Sequence, residues 1–150
     1  MFKEHHSKIV NVDHGENFTV VQPVNLYGCK FGKDCFVGPF VEVQKKVVVG
    51  DNTRIQSHSF ICELVSIGDN CFIGHGVMFI NDLFSNGGPA QGDVALWKET
   101  HIGNNVSIGS NATILPVSIC HDVVIGAGAV VTKDITEKGV YVGNPAKRIK

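Results

Sequence analysis

Histidines and cysteines are the side chains here with the widest chemical repertoire, and their spacing narrows what they could do. His5, His6 and His14 lie near the start without metal-ligand spacing and read as solvent-exposed. His58 and His75 are 17 residues apart, while His101 and His121 are farther off. A zinc site needs three or four convergent ligands, so no metal is expected. Cys29, Cys35, Cys62, Cys71 and Cys120 are odd in number, scattered and without a CxxC pair. They read as buried thiols of a reducing cytoplasm, neither disulfides nor zinc ligands. Lys133, Lys147, Arg148 and Lys150 cluster toward the end of the chain, and such cations can bind phosphate.

The element that must position these groups is a repeat. Reading every sixth residue from Phe31 gives Phe31, Val37, Val43, Val49, Ile55, Ile61, Ile67, Ile73 and Phe79, all large and apolar. Glycine follows the anchor at 32, 38, 50, 68 and 74. At the fourth offset stand small or β-branched residues: Cys35, Val41, Val47, Thr53, Ser59, Val65, Cys71 and Val77. A period of six fits neither a helical face nor simple alternation. It predicts one short strand and one corner per unit, with anchor and fourth-offset residue both pointing inward. Three units close a coil of about 18 residues, and coils stack at a strand spacing of about 4.8 Å. His58 and His75 are then expected at corresponding corners of neighbouring coils.

The 150 residues suffice for a single domain with a real core. A net charge of −1 argues against a nucleic-acid partner. No apolar run approaches the roughly 18 residues of a membrane span, and residues 1–12 lack the apolar core of a signal peptide. A cytoplasmic location without membrane association is expected.

Residues 1–24 carry no clear period. Asn25 falls in register but is polar, so residues 25–30 read as a degraded first hexapeptide. The register stops at Asn81. Residues 81–100 are polar and turn-rich around Asn86-Gly87-Gly88-Pro89, with Leu83, Phe84, Leu96 and Trp97 as apolar contacts. A loop of about 20 residues on a solenoid projects sideways, and such loops commonly build sites. The repeat resumes at Ile102, Ile108 and Ile114, loses one residue near Pro116, and continues through Ile119, Ile125 and Val131. Val106, Ala112, Val123 and Ala129 return at the fourth offset, and the coil is expected to end near Asp134. Residues 135–150 form the tail.

The repeat resembles the hexapeptide-repeat family, which implies an all-β, left-handed parallel β-helix. The stretch Ile125-Gly-Ala-Gly-Ala-Val-Val-Thr-Lys-Asp134, followed by Gly143-Asn-Pro-Ala-Lys147, is similar to the C-terminal signature of that family's acyltransferases. The resemblance implies that Ser110, Ala127 and Thr132 line a coenzyme A groove. It places Lys147 near the nucleotide end, with Lys133 and Arg148 as further phosphate candidates. It also implies trimers with active sites between subunits.

Gly76-Val-Met-Phe-Ile-Asn-Asp82 resembles the N-acetyltransferases of nucleotide-linked amino sugars used in surface polysaccharide. The acyl donor would be acetyl-CoA and the acceptor a dTDP- or UDP-linked amino deoxy sugar. By resemblance Asn81 sits at the sugar amine, with Asp82 able to accept a hydrogen bond from amine or sugar hydroxyl. His75, one repeat before Asn81, reads either as a general base or as a structural corner residue. The Pro-Arg that often follows Asn-Asp in that group is replaced by Phe84-Ser85, which points to a neutral deoxy sugar over a uronic acid. Two alternatives stay open. One is an O-acetyltransferase acting on a sugar or antibiotic hydroxyl. The other is a protein like the γ-carbonic anhydrases, which share the fold and use three histidines.

Overall fold

The computed structural model describes residues 1–150, and its regular structure is strand apart from one three-residue 3₁₀ turn, Val94–Leu96. Short strands make three parallel sheets, the faces of a left-handed β-helix of about seven turns. The first face stacks Ile9–Val10, Asn25–Tyr27, Glu42–Val43, Phe60–Ile61, Met78–Phe79, Thr113–Ile114 and Val130–Val131. The second stacks Asp13–His14, Lys30–Phe31, Val48–Val49, Val65–Ile67, Thr100–Ile102 and Ser118–Ile119. The third runs from Thr19–Val20 through Phe36–Val37, Arg54–Ile55, Phe72–Ile73, Ser107–Ile108 and Val123–Ile125 to Gly139–Val142. There Lys147–Arg148 adds an antiparallel edge strand.

The packing follows the period of six. All nine anchors from Phe31 to Phe79 are at most 3% exposed, and every fourth-offset residue named above is buried. Like packs on like: Ile55, Ile73, Ile108 and Ile125 align on the third face. Each inward side chain fills the space between its counterparts one turn below and above, as dense packing of a narrow core requires. The second–third corner is pinned by side chains that accept from the backbone of the preceding coil. Asp51 accepts from the Lys33 N–H at 3.0 Å, Asp69 from Asp51 at 2.7 Å, Asn104 from Asp69 at 2.9 Å, and His121 Nδ1 from Asn104 at 2.7 Å. The next residue takes the left-handed conformation at Asp34, Asn52, Asn70, Asn105 and Asp122. Asn and Asp tolerate that region best among residues with a side chain. His121 is therefore one rung of a structural ladder.

Three expectations are corrected. Residues 1–24 are not irregular, because strands from Ile9 to Val20 form a first turn. Its positions in register with Leu26, Phe31 and Val37 are Ile9, His14 and Val20, packed on one side only, so the apolar pattern is broken at His14. Its Ile9 and Val10 are exposed, and Phe18 stacks on Phe31 with ring centroids 4.7 Å apart. The inward residue of the second turn is Leu26, not Asn25. The chain is one residue short before Phe31, and Asn25 points outward to donate to Glu42 at 3.1 Å. The coil also continues past Asp134. Ile135 bridges to Ile119, and Gly139–Val142 pairs with Val123–Ile125 before the chain reverses.

The second deletion lies between Thr113–Ile114 and Ser118–Ile119, at a first–second corner. The long loop leaves the same corner one turn earlier, between Met78–Phe79 and Thr100–Ile102. No helix is long and apolar enough to cross a membrane.

Candidate functional site

The residues singled out for chemistry fall on two different edges of the prism. The third–first edge carries a column in which Ser57, His75, Ser110 and Ala127 succeed one another. Gly76 N–H donates to the Ser57 carbonyl, Asn111 to that of His75 and Gly128 to that of Ser110. His75 is exposed, and its Nδ1 lies 2.9 Å from the Ser57 hydroxyl oxygen. With Nδ1–H donating to Ser57, Nε2 is left free to accept a proton. His58 shares this edge but stands one place out of step with His75, opposite Gly76. Both His58 and Gly76 have positive φ, at 64° and 65°. No group of three His, Cys, Asp or Glu side chains could hold a metal ion.

The first–second edge carries Asn81, Asp82, Thr132 and Lys133. It also holds a cavity of about 380 Å3 whose lining includes Gln44, Phe60, Cys62, Glu63, Asn81 and Trp97. Asn81 Nδ2 donates to the Glu63 carbonyl at 3.2 Å, and the Asn81 carbonyl accepts from the Lys98 N–H. Asp82 is held by the loop. Its two carboxylate oxygens accept from Phe84 N–H at 3.0 Å and Ala90 N–H at 2.7 Å, and its backbone bridges to Trp97. Asp82 is thus the latch that closes the loop on itself. Leu83 and Phe84 stay exposed beside it, offering apolar surface.

Inspection of sequence spacing passed over Glu63. It is the middle member of a column Lys45, Glu63, Asn81 at this edge, and it is only 6% exposed. Oε1 lies 3.5 Å from Lys45 Nζ, and Oε2 is buried with no hydrogen-bond partner. The available signal was a single carboxylate set among Ile61, Cys62 and Leu64, where the preceding turn has Gln44-Lys45-Lys46. Burial, helped by the Glu42 and Glu63 carboxylates, raises the nearby Tyr27 hydroxyl above its ordinary value. Burial also pushes the Cys62 thiol up to about 12. It is a poor nucleophile in this setting.

In the tail, Lys147 is exposed, whereas Arg148 donates to Glu137 Oε2 at 3.1 Å. All five cysteines are free, and Cys35 and Cys71 donate their thiols to the carbonyls of Gly50 and Gly103.

Two family models divide the repeat between them. The bacterial transferase hexapeptide (six repeats) matches residues 28–63, and the hexapeptide repeat of succinyl-transferase matches residues 64–78 and 99–133. The chain belongs to the hexapeptide-repeat transferase family. The gap between the matched segments is the loop that Asp82 latches. Among curated relatives, the bifunctional protein GlmU of Clostridium botulinum is 34% identical over 114 residues, 75% of this chain but 22% of that protein. The chain thus spans about a fifth of the length of such a relative. Among solved structures, a hexapeptide-repeat acetyltransferase of Vibrio cholerae in complex with acetyl-coenzyme A superposes with a TM-score of 0.63 at 25% identity, covering 91% of this chain and 69% of that one. A perosamine N-acetyltransferase variant of Caulobacter crescentus, with coenzyme A and GDP-perosamine, shares the fold at a TM-score of 0.61 and 20% identity, covering 96% of this chain and 58% of that one.

Proposed function

We propose that this hexapeptide-repeat chain is an acetyl-CoA-dependent N-acetyltransferase acting on the amino group of a nucleotide-linked amino sugar, and that it works as a trimer. The observation that carries the reading is the division of the expected site between two edges. Ser110 and Ala127 stand on the third–first edge, and Asn81, Thr132 and Lys133 on the first–second edge. The whole first sheet lies between these edges, so one chain cannot fold them onto one ligand. Two neighbouring chains, edge to edge, make one groove from both.

Each side of that groove has a defined task. Ser110 and Ala127 are small, and their column leaves room for the extended pantetheine arm. Lys133 and Lys147 are the cations for its phosphates. The family supplies precedent for the donor, since the Vibrio cholerae relative was solved with acetyl-coenzyme A. At the other wall, Asn81 orients the acceptor amine toward the thioester carbonyl. An amine that has lost its proton attacks without further activation, and holding it about 3–3.5 Å from the carbonyl carbon supplies much of the rate. A backbone N–H stabilises the oxyanion. The thiolate then leaves, and the nitrogen gives up one of its two protons, which neutralises the departing thiolate, and keeps the other as the amide N–H.

A specific observation favours a second reading. His75 is exposed and its ring is held by Ser57, as the general base of an O-acetyltransferase would be. The deciding experiment is acetyl transfer from acetyl-CoA, followed by thiol release, against thymidine- and uridine-linked amino sugars and their hydroxyl counterparts. Turnover of an amino sugar, lost in Asn81→Ala and kept in His75→Ala, upholds the N-acetyltransferase. Turnover confined to hydroxyl acceptors and abolished by His75→Ala replaces it with the O-acetyltransferase.

A further inference from the structure

We propose that Glu63 is the counter-charge for the acceptor's ammonium group, so that the cavity at the first–second edge is a cation-selecting subsite. The inference rests on the N-acetyltransferase reading for the identity of the ligand, but on independent observations for the site. A carboxylate this deeply buried is costly unless its oxygens are paired. Here Oε1 has a single cation at 3.5 Å, on a lysine whose side chain is 55% exposed, and Oε2 has no partner. The backbone of Glu63 is fully engaged with its neighbours. Its N–H donates to Gln44 Oε1 at 3.2 Å, and its carbonyl accepts from Asn81. The main chain is therefore fixed while half of the carboxylate is not.

The setting suits an organic cation. Phe60, Phe79, Phe84 and Trp97 line the same cavity, and aromatic faces attract cations. The last torsion of a glutamate is soft, so a small rotation presents Oε2 to a ligand in the cavity. Asn81 already touches Glu63, so an ammonium bound to the carboxylate meets the asparagine amide oxygen beside it. A hydroxyl in that position would satisfy the carboxylate's hydrogen-bonding capacity but not its charge. The subsite therefore discriminates amine from hydroxyl at the level of binding. In the reaction the carboxylate accepts one ammonium proton before attack, leaving neutral amine and neutral Glu63. The proton returns to solvent when the amide product departs.

The test compares Glu63→Gln with the wild type by calorimetry. The probes are thymidine-linked and uridine-linked amino deoxy sugars and the same nucleotides with a hydroxyl in place of the amine. The glutamine is isosteric and keeps a hydrogen-bonding oxygen, and unchanged coenzyme A affinity and melting temperature establish that the fold is intact. The expected result is about 10- to 100-fold weaker amine binding with hydroxyl binding within about twofold, the size of a lost charged hydrogen bond. In turnover KM for the amine rises and, because the glutamine cannot take the ammonium proton, kcat falls with it. Equal weakening of both ligands, or no change in either, overturns the proposal, as does failure of every amine to bind the wild type. An amine turned over by both proteins with the same selectivity refutes the role of Glu63 while the N-acetyltransferase reading stands. An amine that binds through Glu63 but is never acetylated upholds the subsite and refutes that reading.

Discussion

Asp82→Ala should open the long loop without melting the coil. In the structure the Asp82 carboxylate gathers two backbone donors, the N–H groups of Phe84 and Ala90, two and eight residues further along the chain. Hydrogen bonds to a charged group contribute about 1.5–3 kcal/mol each. Because Asp82 is only half-buried, solvent screening lowers this to about 1–1.5 kcal/mol each, giving about 2–3 kcal/mol for the pair. Each 1.4 kcal/mol is tenfold in an equilibrium. The two amides should therefore exchange with solvent roughly 30- to 150-fold faster in the variant. The Thr113 and Ile114 amides, in the coil above, should stay protected to within about twofold. Hydrogen exchange by NMR reads both sets in one experiment. Acetyl transfer should fall as well, because the loop carries part of the cavity wall. If exchange at Phe84 and Ala90 changes by less than about threefold while transfer is abolished, the latch is the wrong description. Asp82 would then be acting on the substrate itself.

Three further outcomes can be checked. Ile108→Ala, which empties a wholly buried position between Ile73 and Ile125, should cost about 2–5 kcal/mol in urea unfolding; a loss below about 1 kcal/mol would mean the stack collapses around the gap. Cys62, with its thiol pushed up to about 12 from 9.0, should carry on the order of one thiolate in 10,000 at pH 9 less one unit, and resist a thiol reagent in the folded protein. The folded state holds that proton more tightly than the unfolded chain, so the associated stability is complete below about pH 9 and is lost as pH rises toward 12; rapid labelling of native Cys62 at neutral pH would contradict this. Lys147→Ala should weaken coenzyme A binding about tenfold at low salt and less at high salt, as expected for an exposed cation on phosphate; an unchanged affinity in calorimetry would remove Lys147 from the groove.

The coil was legible because its demands are local and repeated. Each buried layer needs an apolar anchor and a small companion, so Phe31 to Phe79 announces itself at every sixth position. The first turn was not, because Ile9, His14 and Val20 have neighbours on one side only and nothing compels them to be uniformly apolar. The seventh turn escaped for a similar reason. Gly139–Val142 is half-buried and is recruited by backbone pairing with Val123–Ile125, which leaves little mark on side-chain identity. For the site, resemblance marked Asn81 and Asp82 but not their division of labour. Whether a carboxylate faces a ligand or caps its own loop depends on where Phe84 and Ala90 return, which no spacing encodes. Glu63 was missed because one acidic residue in a strand-and-corner unit looks like solvated surface until its burial is known.

Stacking in whole turns also turns the protein into a measuring stick. From Asn81 the same corner climbs through Pro116 to Lys133, two turns at about 4.8 Å each, so roughly 10 Å separate the amine end from the first phosphate candidate. That distance can change only in steps of one turn. A single-residue insertion must be absorbed at a corner, as the two short corners before Phe31 and Ile119 absorb their deletions. An added turn of 17 or 18 residues between Ile108 and Ile125 would lift Lys133 and the tail by about 5 Å and leave both ends chemically intact. Ligand length is thereby quantised by gene architecture, and a longer or shorter donor would be accommodated by counting turns, with no need to redesign either end.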